Sequence, residues 1–171
     1  ILYNILNKNE DIYCERVFAP WVDMADAMRR DGVPLFSVES RRPVRDFDIV
    51  GFTLQYEMSY TTILEMLDLA GIPLFSGERG EGDPIVIAGG PCAFNPEPLH
   101  AFIDAFSLGD GEESTLEVLD AVRRAKAEGL TRADTLRLIS QIDGVYVPAY
   151  YDAEYGADGC LTAFRPRTAE A

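Results

Sequence analysis

Three short apolar runs, residues 48–54, 84–88 and 105–108, each end in residues that suit ligand binding. Runs of this length that are rich in Ile, Val and Phe are typical of strands buried on both faces of a parallel sheet. Because ligands of open parallel sheets bind beyond the carboxyl ends of the strands, we expect the residues after these runs to form one site. The candidate cofactor-binding residues are Thr53, Gln55, Tyr56, Gly89, Gly90, Pro91, Gly109, Asp110, Gly111 and Glu112.

Glycine is the most informative residue type at these run ends. Gly89 and Gly90 lack a Cβ atom, which allows a flat ligand to pass over the turn; the alternative is a tight turn that needs glycine for its backbone conformation. The segment 109–112 opens a helix, whose amino end attracts hydrogen-bond acceptors, although its acidic residues are also typical of helix caps. Neither G-x-G-x-x-G nor a P-loop occurs, which argues against a nucleotide site.

No catalytic or metal-binding constellation is predicted. Cys92, His100 and Ser107 are the only residues that resemble a nucleophile with its base. A helix amino end near Cys92 would lower its thiol pKa, but a buried, inert thiol is the commoner situation. Together with Cys14 and Cys160, Cys92 makes three widely spaced cysteines, a pattern typical of free thiols in a reducing compartment. We therefore expect a cytoplasmic protein without a metal site.

Composition limits the partners of this segment. The chain has 171 residues, enough for one domain with a proper core, and 29 acidic residues against 15 basic ones give a net charge of −14. Such a charge repels phosphate backbones, so direct binding of nucleic acid by this segment is excluded. No apolar run is long enough to cross a membrane, and no signal peptide is recognised.

Strand and helix patterns alternate along the chain, which predicts an α/β fold with a doubly wound, mainly parallel sheet. An amphipathic helix opens the chain, and Thr131 is placed to cap the last predicted helix. The tail, 145–165, is aromatic and alternating and predicts a β-hairpin or an extended arm. Further strands are predicted at 16–18 and 35–38, and helices at 20–31, 59–69, 96–103, 112–128 and 131–142.

Five strings, ERVFAPW, PLFSVESRRP, FDIVGFTLQYEMSYTTIL, IVIAGGPCAFNPEPL and GDGEES, resemble the amino-terminal region of an uncharacterised family of radical SAM proteins with a cobalamin-binding-like domain. The resemblance implies a flavodoxin-like (Rossmann-like) three-layer sandwich over 1–143, with its first strand preceding Ile1. It implies that 144–171 is an arm or linker toward a downstream radical SAM domain. Cobalamin is the cofactor expected here, whereas the 4Fe-4S cluster and S-adenosylmethionine are expected in the downstream domain.

Two functions follow from this resemblance. The first is a cobalamin-binding accessory domain, not catalytic on its own, of a radical SAM enzyme. The second is a cofactor-free docking module with the same fold. The cobalt-binding loop Asp-x-His-x-x-Gly of related methyltransferases is absent, and Tyr56, Glu57 and Phe94 crowd the strand ends where a corrin needs a flat floor. Because the missing strand would leave an open edge, we expect the 145–164 arm or a neighbouring chain, as in a homo-oligomer, to cover sheet edge or apolar surface.

Overall fold

The computed structural model describes residues 1–167 and contains five α-helices and six strands in that range. The predicted alternation of helices and strands is only partly observed, since no α-helix separates β2 from β3 and two helices separate β3 from β4. The helices are α1 (Leu2–Leu6), α2 (Val22–Asp31), α3 (Tyr60–Ala70), α4 (Gly111–Glu128) and α5 (Arg132–Ser140). The strands are β1 (Ile49–Thr53), β2 (Ile85–Gly89), β3 (Ala105–Ser107), β4 (Val145–Tyr146), β5 (Tyr151–Tyr155) and β6 (Leu161–Pro166).

The main sheet has four strands in the order β1-β2-β3-β4, and a separate antiparallel hairpin joins β5 to β6. β1, β2 and β3 are parallel, and only β4 runs antiparallel to its neighbour. The predicted α/β class, the mainly parallel sheet and the carboxyl-terminal hairpin are therefore confirmed.

Helices pack on both faces of this sheet because successive strand residues point to opposite sides. Val86 belongs to a core that includes residues of α2 and α3. Its neighbour Ile85 belongs to a second core formed with residues of α4 and α5. Such apolar positions on both sides of β2 explain the continuous hydrophobic run in its sequence.

A buried ion cluster fixes the amino ends of β2 and β3. One carboxylate oxygen of Asp104 accepts hydrogen bonds from the Val86 amide at 2.7 Å, from Arg79 at 2.9 Å and from Arg132 at 2.8 Å. The side chains of Arg79 and Asp104 are almost completely buried. Burial of this kind is tolerated only when each charge keeps its partners, so the cluster is part of the fold rather than a solvent-facing site.

Three predicted elements are wrong in detail. Residues 16–18 pair through a single backbone bond, from the Val38 amide to the Arg16 carbonyl, and 35–38 form only one bridge, from Phe36 to Pro43. The predicted helix 96–103 is a short 3-10 turn, Glu97–Leu99. Pro98 explains this last difference, because it lacks an amide hydrogen and disfavours helical backbone before it.

The hairpin docks at the β4 end of the sheet. Tyr151 and Phe164 stack on each other with ring centroids 5.1 Å apart, and both contact the ring of Tyr146 on β4. The predicted arm begins with β4, which pairs with β3 and so covers one edge of the sheet as expected, but β1 lies at the other edge. Within residues 1–167, no strand pairs with the outer edge of β1. Over the same range, none of the helices combines the length and apolar character that crossing a membrane requires.

Candidate functional site

The three parallel strands bring their carboxyl ends to one edge of the sheet, as predicted. Thr53 on β1 pairs with Gly89 on β2, and Gly89 pairs with Ser107 on β3. The turns that follow are tied together, because the Cys92 amide donates to the Leu54 carbonyl at 3.0 Å. The predicted site residues therefore follow adjacent strands. We call this region the carboxyl edge.

Gly90 has a reason to be glycine that involves only the fold. Its φ angle is +104°, a conformation that residues with a side chain rarely adopt. A Cβ atom there would lie 3.1 Å from the carbonyl oxygen and 3.3 Å from the amide nitrogen of Leu54. The neighbouring strand, rather than a ligand, therefore occupies the space that a side chain would need. At Gly89 a Cβ atom would make an ordinary contact, 3.5 Å from the Ser107 carbonyl oxygen.

The segment 109–112 forms the turn into α4. Gly109 has φ +100° and open space around its Cα atom, so backbone conformation alone accounts for this glycine. Asp110 is the N-cap residue of α4 but makes no side-chain cap bond, and Glu112 lies in the first turn, where negative charge suits the helix dipole. Gly111 faces α1, since a Cβ atom there would lie 3.8 Å from Leu2.

The remaining predicted residues at the carboxyl edge have exposed side chains. Thr53, Gln55 and Pro91 face solvent, and Tyr56 is 58% exposed. Tyr56, Glu57 and Phe94 therefore do not fill a crevice between the strand ends.

Large apolar side chains are exposed at this edge. Met58 and Phe94, which follow β1 and β2, are 80% and 72% exposed. Tyr56, which also follows β1, is 58% exposed. Trp21, which precedes α2, is 79% exposed as well. We call Trp21, Tyr56, Met58 and Phe94 the apolar rim.

The charged side chains around the rim are acidic. Glu57 follows β1, and Asp110, Glu112 and Glu113 surround the start of α4; all four are exposed. Such a surface attracts cationic groups and repels anions over roughly a Debye length, about 8 Å at physiological salt.

Cys92 does not have the properties of an activated nucleophile. Partial burial, followed by the charge of Glu57, raises the pKa of the thiol, which agrees with the inert thiol expected from the sequence rather than with activation by a helix amino end. The nearby Tyr60 hydroxyl is buried without a hydrogen-bond partner of good geometry, and its burial raises its pKa too. A thiol with a raised pKa is mostly protonated at neutral pH and is a weak nucleophile.

The other members of the possible catalytic trio bond to residues outside it. The Ser107 hydroxyl bonds to the Ser114 hydroxyl at 2.8 Å, and His100 Nδ1 bonds to the Glu97 carbonyl at 2.7 Å. In the part of the chain described by the structure, no three His, Cys, Asp or Glu side chains come together as a metal site.

The residues at the carboxyl edge do not fit cobalamin. His100, the single histidine, lies beside Glu97 on the loop between β2 and β3 rather than at a strand end. The acidic side chains around α4 oppose the phosphodiester of a cobalamin nucleotide tail. The glycine that suggested ligand space, Gly90, is required by its contact with Leu54.

The sequence did not draw attention to Trp21 and Met58. Their types are ordinary in apolar patterns, and only the fold reveals how exposed both side chains are. One signal was available for Met58, which lies just before the predicted helix 59–69 rather than within its apolar face.

Comparison with known proteins identifies the family. A family model for the amino-terminal region of radical SAM proteins matches residues 1–148. An uncharacterized protein of Methanocaldococcus jannaschii is 29% identical over 100 residues, which are 57% of this chain and 21% of the relative. No solved structure matches the chain. The chain therefore belongs to the family of amino-terminal regions of radical SAM proteins, and it spans about a fifth of the length of this curated relative.

Proposed function

We propose that the chain is a non-catalytic accessory domain of a radical SAM enzyme and that its apolar rim docks on the radical SAM core of the same polypeptide. The observation that carries this proposal is the exposure of Tyr56, Met58 and Phe94 after the ends of β1 and β2, together with that of Trp21 before α2. A group of large exposed apolar side chains is typical of protein interaction sites. Residues 144–171 then act as the arm that leads toward the core.

Both hydrophobicity and charge favour a protein surface as the occupant. Burying one such side chain contributes about 1.5–3 kcal/mol, so the four rim residues together supply enough free energy to hold two linked domains together. The acidic groups around the rim, among them Glu57 and Asp110, favour a partner surface with basic residues. The 4Fe-4S cluster and S-adenosylmethionine are assigned to the core, as is usual for radical SAM proteins.

The competing function is cobalamin binding by the residues that follow β1, β2 and β3. The in-register arrangement of Thr53, Gly89 and Ser107 supports it, since ligands of parallel sheets bind at this edge. The poor fit of the side chains supports docking instead. We also propose that the domain has a flavodoxin-like topology with an additional strand before Ile1.

A double variant of the rim tests docking in the full-length protein. Met58→Asp combined with Phe94→Asp places two charges at the proposed interface. We expect faster hydrogen exchange in peptides covering 54–59 and 91–95, with unchanged exchange in β2, because the domain leaves the core but stays folded. Mass spectrometry of the deuterated peptides measures this.

Val33→Asp is the matched control. Val33 is 43% exposed and lies at the opposite end of the fold, since the amide of nearby Leu35 bonds to Leu69 at the end of α3. The Val33→Asp variant should leave hydrogen exchange of the rim peptides unchanged. Rapid exchange of the rim segments already in the unmodified protein would contradict docking.

Cobalamin binding has its own readout. The full-length protein is purified anaerobically, reconstituted with cobalamin and followed by its visible spectrum. We expect no stoichiometric binding. Stoichiometric binding that is lost in a Tyr56→Ala variant would replace docking as the function of this edge.

A further inference from the structure

We propose that a groove beside the carboxyl-terminal hairpin binds a guanidinium group. The groove has a volume of about 350 Å³ and lies between the 97–101 segment and the β5–β6 hairpin. It is separate from the apolar rim and is formed by a different part of the chain. Its aromatic lining residues are Tyr146, Tyr151, Tyr155 and Phe164, and its charged ones are Glu97, Asp152 and Arg167, with His100 beside them.

The aromatic walls pack against one another. Tyr151 and Phe164 are nearly parallel, at an interplanar angle of 8°, and Tyr146 lies 5.3 Å from Tyr151 between ring centroids. The Tyr146 hydroxyl donates to Glu97 Oε1 at 3.2 Å, which orients both side chains. Tyrosine rings attract planar cations through the negative face of the ring, and arginine stacks on them more often than lysine does.

The groove already accommodates one guanidinium. Arg167 donates from Nε to Asp152 Oδ1 at 2.7 Å and from Nη1 to the Ala149 carbonyl at 3.1 Å. This internal contact demonstrates which chemistry the walls accept: one carboxylate and one backbone carbonyl directed at a planar cation.

Glu97 supplies a second carboxylate in the same groove. Its Oε1 accepts the Tyr146 hydroxyl, and its Oε2 lies 3.8 Å from His100 Nδ1. Among residues 1–167, neither lysine nor arginine forms an ion pair with Glu97. Asp152 and Arg167 compensate each other, so the carboxylate of Glu97 is left without a lysine or arginine partner in the groove lining.

An added guanidinium matches this remaining charge and shape. Its flat face suits the tyrosine rings, and its paired N–H donors suit the carboxylate of Glu97. The volume lies at the lower end of the range for ligand pockets and suits a group the size of one side chain. The ligand is therefore a small guanidinium compound or an arginine side chain of a protein.

Binding of matched probes to the full-length protein tests the proposal. Nα-acetylarginine amide and Nα-acetylcitrulline amide have nearly the same shape, but only the first is charged. We expect calorimetry to give at least about tenfold weaker binding for the citrulline probe, because both the ion pair and the cation–π contact are lost. Equal binding of both probes, or no binding of the arginine probe at millimolar concentration, overturns the proposal.

Two variants localise the binding. Glu97→Gln keeps an acceptor for the Tyr146 hydroxyl and should weaken the arginine probe about tenfold, since it removes only the charge. Glu117→Gln removes an exposed carboxylate on α4, outside the groove lining, and should leave binding unchanged. Equal effects of the two substitutions would show that the probe responds to general surface charge, which also overturns the proposal.

A last experiment distinguishes two possible sources of the guanidinium group. Free agmatine represents a metabolite, and acetyl-Gly-Arg-Gly amide represents a protein side chain. Tighter binding of agmatine supports a metabolite as the ligand, whereas tighter binding of the peptide supports a protein.

Discussion

Replacing Gly90 by alanine should destabilise the junction between β1 and β2 by about 2–4 kcal/mol. Holding a residue with a side chain at φ +104° contributes about 1–3 kcal/mol. The added Cβ atom, 3.1 Å from the Leu54 carbonyl oxygen, also pushes against β1. That displacement weakens two bonds, Leu54 amide to Gly89 carbonyl and Cys92 amide to Leu54 carbonyl, each with a net contribution of about 1 kcal/mol.

Two other glycines separate the causes of this loss. Gly109→Ala adds a side chain at a similar positive φ angle but in open space, so it should cost only the conformational part, about 1–3 kcal/mol. Gly82→Ala adds it without positive φ and without a contact within 4 Å. It should be neutral or stabilise by up to about 1 kcal/mol, because alanine restricts the unfolded chain.

Native-state hydrogen exchange in the full-length protein measures these differences locally. The amides of Leu54 and Cys92 report on the junction, since both donate bonds across it. Their opening free energy should fall in Gly90→Ala and stay unchanged in Gly82→Ala, whereas the cost of Gly109→Ala should appear in the first amides of α4, which follows it. If Gly90→Ala exchanges as slowly as Gly82→Ala does, the steric reasoning is refuted. If it instead loses only cobalamin binding, ligand space is the reason for the glycine.

Three further predictions concern the ion cluster, the thiol and a helix cap. Asp104→Ala leaves two arginines and a strand amide without their acceptor, so it should lower the free energy of unfolding, measured by thermal denaturation, by about 3–5 kcal/mol. Lys126→Met breaks an exposed ion pair and should lower it by less than about 1 kcal/mol. Glu57→Gln removes a charge that raises the Cys92 pKa, so iodoacetamide should alkylate this thiol faster at neutral pH; unchanged rates in peptide mass spectra would exclude that coupling. Thr131→Ala should destabilise α5 by about 1 kcal/mol, seen as faster exchange of its first amides, because the hydroxyl accepts a bond from the third residue of the helix.

The sequence predicted well those elements whose signals are local. The apolar run 84–88 matches β2 (Ile85–Gly89), and the helix predicted at 59–69 matches Tyr60–Ala70. It failed where the outcome depends on partners, as at 16–18, because strand formation requires a neighbour that a pattern does not reveal. The 96–103 segment failed for a local reason that was visible, since Pro98 interrupts the helical spacing.

The convergence of the strand ends was predictable from the sequence, whereas the exposure and packing of the side chains around them were not. The rule that parallel strands end at one edge correctly brought Thr53, Gly89 and Ser107 together. Side-chain exposure and the approach of Leu54 to Gly90 depend on how neighbouring turns pack, and one sequence contains no direct record of that.

Residues at the carboxyl edge carry information about function only where the fold itself does not require their type. A residue that the fold requires, such as Gly90 against Leu54, would be selected whether or not anything binds there. Met58 and Phe94 are different, because a side chain that is mostly in solvent gains nothing for the folded domain by being apolar and raises the risk of aggregation. The proposed docking accounts for their type, because a surface that covers them in the full-length protein would bury both side chains. The same reasoning applies to Glu97 in the hairpin groove, whose charge the described ion pairs do not compensate with lysine or arginine.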